Sequence, residues 1–162
     1  MRPVTVTATI DAPRERVFEY LSDVANHAEF SDHYLKDFRL ERLQSRGLGA
    51  SASFRIGGRG ARWGETVITG LERPHRIELE GQTGRLGRIK TRATYTLTPH
   101  GHDMTKVEYT LSTEPATRFD ALREALGCRS WAKRNSRKAL RRLARVLEEG
   151  RASAHAVRVA AG

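Results

Sequence analysis

Cysteine occurs once, at Cys128, so no disulfide can close within the chain. Stability must come from packing, and a reducing, cytoplasmic setting is expected. No apolar run approaches the roughly 20 residues that span a bilayer. The opening Met1-Arg2-Pro3-Val4-Thr5-Val6-Thr7 lacks the apolar stretch of a secretory leader. Several motifs are missing too. No Gly-x-Gly-x-x-Gly opens a helix after a strand, since Gly57-Gly58-Arg59-Gly60 reads as a hairpin turn. There is no P-loop, no Gly-x-Ser-x-Gly and no Cys-x-x-Cys. Nucleotide, redox and covalent serine chemistry are therefore without support, and neither a cofactor nor a metal is expected. Lysine is scarce beside arginine, 5 against 24, within a formal net charge of +10.

Proline, five in all, is missing from the whole stretch Thr117–Glu149. Thr117 with Asp120 three residues on resembles a capping box. Apolar or small residues then recur at Leu122, Ala125, Leu126, Cys128, Ala132, Ser136, Ala139, Leu140, Leu143 and Leu147. Steps of three and four make one stripe on a helix. Gly127 would bend or break it. The middle of the stripe is small and its ends are bulky, a profile that can roof a cavity rather than fill it. Eleven cations against four anions fall between residues 117 and 151. The basic face Arg129–Arg145 reads either as a solvated surface or as a dock for an anionic partner: an acidic protein, a membrane surface or nucleic acid. No aromatic interrupts Lys133–Arg145, which argues against a stacking platform for single strands.

The 162 residues suit one domain over 1–150, with a flexible tail at 151–162. Residues 4–10 alternate as a half-buried strand. Asp11-Ala12-Pro13 opens a helix whose buried face is Val17, Tyr20, Leu21 and Val24, and Asp23 can cap a second short helix through Glu29. Six strands follow, at 34–43, 50–56, 62–71, 76–80, 88–98 and 105–112, with turn residues between them. The order is β-α-α-β6-α, an α+β chain with an antiparallel meander.

The string from Val4 to Asp23, V-T-V-T-A-T-I-D-A-P-R-E-R-V-F-E-Y-L-S-D, resembles the opening of START-like proteins, and more narrowly the polyketide cyclase/dehydrase branch. Tyr95-Thr96-Leu97-Thr98-Pro99-His100-Gly101 and Thr105-Lys106-Val107-Glu108-Tyr109 are similar to that family's last hairpin. The resemblance implies a helix-grip fold, in which a curved seven-stranded antiparallel sheet wraps around the long C-terminal helix with two short helices between strands 1 and 2. It also implies a ligand cavity between sheet and helix. Relatives include aromatase/cyclases, lipid and quinone carriers and hormone binders, so either a carrier of a hydrophobic or aromatic small molecule or a polyketide cyclase/dehydratase is expected.

Strand parity nominates the lining. Trp63, Val67 and Leu71 share a face, with Glu65 between them as a candidate general acid or base. Tyr95 and Tyr109 share faces with Ala93, Leu97, Val107 and Leu111 and are further catalytic candidates. Phe54 joins the ligand wall, as do Cys128, Trp131 and Ala132 from the long helix. Phe30 and Tyr34 belong to a segment that borders the cavity entrance in the related fold. His27 and His33, in the same segment, are secondary acid/base candidates. Their spacing with Glu29 and Asp32 matches no standard zinc motif.

Overall fold

The computed structural model describes residues 2–57, 62–84, 87–115 and 128–160, side chains of 115 and 151–160 excepted. Strand β1 (Val4–Ile10) is followed by helix α1 (Arg14–Leu21), a 3₁₀ turn (Val24–Asn26) and helix α2 (His27–Ser31). Strands β2 (Leu35–Leu40), β3 (Ser51–Ile56), β4 (Arg62–Glu72), β5 (Arg76–Thr83), β6 (Ile89–Pro99) and β7 (Thr105–Pro115) come next, then helix α3 (Cys128–Ala160). The sheet order is β1-β7-β6-β5-β4-β3-β2, antiparallel throughout. This is the α+β chain that the element order predicts, in the helix-grip architecture that the resemblance implies. The helix backbone passes Gly150, where the periodic stripe ends, and runs on to Ala160. The capping box at Thr117 and the break at Gly127 lie outside the described residues. No helix among the described residues is long and apolar enough to cross a membrane.

The core gathers at one end of the molecule. Phe18 and Leu21 from α1 meet Ile10, Ile68, Ile77, Leu97 and Val107 from the sheet, and Leu140 and Leu143 from α3 close over them. Each such side chain contributes about 1.5–3 kcal/mol of burial free energy. Toward its N-terminal end, α3 presents Ser136, Ala132 and Cys128 in place of leucines. These small side chains leave space between helix and sheet there. The opposite face of α3 carries Arg134, Arg137, Lys138, Arg141 and Arg145, all exposed. Arg142 instead pairs with Asp32 at 2.6 Å and donates to the Glu29 carbonyl, tying α3 to α2.

One irregularity decides which strand residues face inward. The β4–β5 register shifts between Ile68 and Gly70, leaving Thr69 as a bulge. A bulge adds a residue to one strand and reverses the alternation beyond it. Leu71 lies opposite the buried Ile77, on the inner side, whereas on the other side of the bulge the inner residues are Ile68, Thr66 and Gly64.

Candidate ligand cavity

A cavity of about 480 Å³ opens between the inner sheet face and the N-terminal part of α3. Phe38 and Phe54 stack at 6.0 Å on one wall, beside Ile56. Ala93, Leu79 and Leu111 form the floor, and Trp131, Ala132 and Cys128 border it from the helix. The Phe54 ring has room because residue 64 is glycine: a Cβ there would lie 2.8 Å from Phe54 Cε2. The aromatic character continues inward. Tyr34 meets Trp131 edge-on at 5.9 Å, and Tyr95 and Tyr109 stand opposite each other across β6 and β7 with centroids 4.7 Å apart.

His27 is held at the inner end by the way α1 terminates. The last carbonyls of a helix run short of intrahelical partners, and here side chains add to them. Ser22 Oγ donates to the Phe18 carbonyl, Asn26 Nδ2 to that of Tyr20, and His27 Nε2 to that of Leu21 at 2.8 Å. A carbonyl only accepts, so Nε2 carries the proton and Nδ1 presents a lone pair. Burial lowers the His27 pKa below its ordinary 6.5, outweighing the Leu21 bond and the Asp23 charge. The ring touches Phe30 at 5.4 Å and Tyr95 at 6.0 Å. Burial also pushes the Tyr34 phenol up to about 12 and raises Tyr95 and Tyr109 further, with Tyr34 adding to both. All three stay protonated donors at neutral pH.

The structure brings Phe30, Tyr34, Phe54, Tyr95, Tyr109, Cys128, Trp131 and Ala132 together around this space, as the sequence reading expects. It does not bring Trp63 and Val67 there, and Glu65 touches the space from an outward-facing position. Their side chains project from the outer face, Trp63 being 53% exposed with the Arg39 guanidinium over its ring. Leu71 misleads the parity argument because the bulge at Thr69 separates it from them. Glu65 and Val67 instead flank a polar groove of about 730 Å³ outside the sheet. Glu65 borders both spaces, as do Thr66, Gln82 and Thr91, because one layer of backbone divides them. The groove is mostly charged and polar, so the inner cavity is the better ligand site.

Phe38 escapes the sequence reading because Asp37, at φ 51°, breaks the alternation of β2. Leu79, buried among the core residues, also borders the cavity. The histidines and carboxylates around α2 diverge rather than converge. Tyr20 takes Glu29, Arg142 takes Asp32, and His33 Nε2 donates to the Asn135 carbonyl at 3.2 Å. Burial lowers the His33 pKa.

Comparison with known proteins agrees with this architecture. A family model described as polyketide cyclase / dehydrase and lipid transport matches residues 1–148. Among curated proteins no sequence match is found. Among solved structures the chain is similar to DynU16, from the dynemicin biosynthetic locus, with 19% identity and a TM-score of 0.62. That match covers 93% of this chain but 48% of DynU16, so the chain spans about half of it. MLL2253 from Mesorhizobium loti matches at 16% identity and a TM-score of 0.65, covering 91% of this chain and 98% of that one. The KanY protein matches at 13% and 0.72, covering 90% and 97%. At these identities the structures speak for the fold alone.

Proposed function

The chain belongs to the polyketide cyclase/dehydrase and lipid-transport family, and from that premise we propose that it binds a hydrophobic or aromatic small molecule in the cavity between sheet and α3. The observation that carries this reading is the cavity itself: about 480 Å³, with a mostly apolar surface to which Phe38, Phe54, Leu79, Ala93 and Leu111 contribute. Binding sites for small molecules characteristically combine an apolar wall of this size with a small number of placed polar groups. Titration with the planar hydrocarbon fluorene, followed by Trp131 fluorescence, tests it. Ala93→Phe places a ring in the cavity and is expected to abolish the response. Unchanged binding in that variant would put the ligand elsewhere.

A second reading, an aromatase/cyclase or dehydratase acting on a polyketide chain, is favoured by one observation: the paired phenols of Tyr95 and Tyr109 beside a neutral imidazole. Confinement would supply proximity, and these groups would move protons. Turnover that survives in the Tyr95→Phe, Tyr109→Phe double variant would remove this pair from such a mechanism.

A further inference from the structure

Four polar groups at the end of the cavity nearest the packed core have no hydrogen-bond partner among the described residues. They are the hydroxyls of Tyr34, Tyr95 and Tyr109 and the Nδ1 atom of His27. All four belong to residues that line the cavity. Three are donors and the fourth is an acceptor, its tautomer fixed by the Leu21 carbonyl.

Among the described residues, no cation stands beside Tyr95 and Tyr109. Arg62, the guanidinium on the inner side of β4, pairs with Ile56 next to the Gly57 amide that binds the Tyr34 carbonyl, and it stands beyond the level of Gly64, which pairs with Thr83 and through it with Ile89. Ile89 to Tyr95 is six residues of strand, roughly 20 Å. A carboxylate brought to Tyr95 and Tyr109 would be desolvated with no counter-charge among the described residues, which is costly, whereas a neutral oxygen would gain hydrogen bonds to donors that otherwise lack them there.

Resting on the cavity reading above, we propose that the inner end recognises a neutral, oxygenated ring compound. Its carbonyl accepts from the tyrosine hydroxyls while a hydroxyl donates to Nδ1 of His27. Hydrocarbons and carboxylate lipids are selected against.

A series on one skeleton tests this: fluorene, 9-fluorenone and 2-hydroxy-9-fluorenone, with palmitate as the carboxylate lipid, titrated into the full chain at neutral pH. Affinity is expected to rise in the order fluorene, fluorenone, hydroxyfluorenone. Tyr95→Phe and Tyr109→Phe should each weaken the two ketones by roughly three- to tenfold while leaving fluorene unchanged. These variants keep the ring, so the packing survives. The ¹⁵N signal of unprotonated Nδ1 in His27 should move with hydroxyfluorenone and not with fluorene. Equal affinity along the series, or palmitate binding tightest, would overturn the proposed selectivity and leave the cavity reading standing. Binding of none of the four would overturn both.

Discussion

Tyr95 and Tyr109 occupy facing positions in the β6–β7 ladder, and their rings meet at 4.7 Å without a hydrogen bond to either hydroxyl among the described residues. The rings serve packing and the hydroxyls do not. Removing one hydroxyl by Tyr95→Phe should change unfolding free energy by no more than about 1 kcal/mol, in either direction. Phe18→Ala, in the packed half, should cost about 3–5 kcal/mol. Urea denaturation of the two variants checks the contrast. A loss above about 2 kcal/mol in Tyr95→Phe would mean that its hydroxyl holds the fold together.

Gly64 leaves space for Phe54. In Gly64→Ala the new methyl group falls 2.8 Å from the ring, which must tilt away from β4 toward the cavity. Such crowding should cost about 1–3 kcal/mol of stability and narrow the site. Parallel thermal melts and fluorene titrations measure both, and an unaltered affinity would show that Phe54 yields in another direction.

Glu65 is a contrasting case. Because its side chain stands on the outer face, Glu65→Gln should leave ligand affinity within experimental error of the parent. A clear loss would show that the carboxylate reaches the inner site.

The buried imidazole of His27 sets a pH dependence. Its folded pKa lies below 6.5, so between the two values the unfolded chain binds more protons than the folded one. Stability is fully present above the unfolded value and is lost as pH falls below about 6.5, by at most about 1.4 kcal/mol per pH unit, levelling once the folded value is passed. His33 adds in the same direction. Urea midpoints at pH 8, 7, 6 and 5 trace this slope. It should be shallower in His27→Gln, whose amide can still donate to the Leu21 carbonyl. Stability that rises on acidification through this window would contradict the assignment.

Much of the fold was legible because local signals agreed with one another. The alternation Val4-Val6-Ala8-Ile10, the proline at the start of α1 and the turn glycines each named an element, and the stripe on α3 named its buried side. The inner lining was legible wherever a strand stayed regular, as from Ile89 to Leu97, where Tyr95 and Ala93 both fall inward. It failed on β4, where one bulged residue, Thr69, leaves no mark in the sequence yet reverses every side chain before Leu71. His27 is hard to read from sequence for a different reason. Its role depends on the Leu21 carbonyl at the end of another helix, a tertiary contact that spacing along the chain does not encode.

The position of a bound ligand separates the inner cavity from the outer groove most directly. Methyl and aromatic chemical shifts of the protein titrated with 9-fluorenone answer this in one experiment. The cavity reading predicts large shifts at Ala93, Leu79, Leu111 and Phe54, with Val67 and Trp63 unmoved. Shifts confined to Val67 and its neighbours in the outer groove would contradict it.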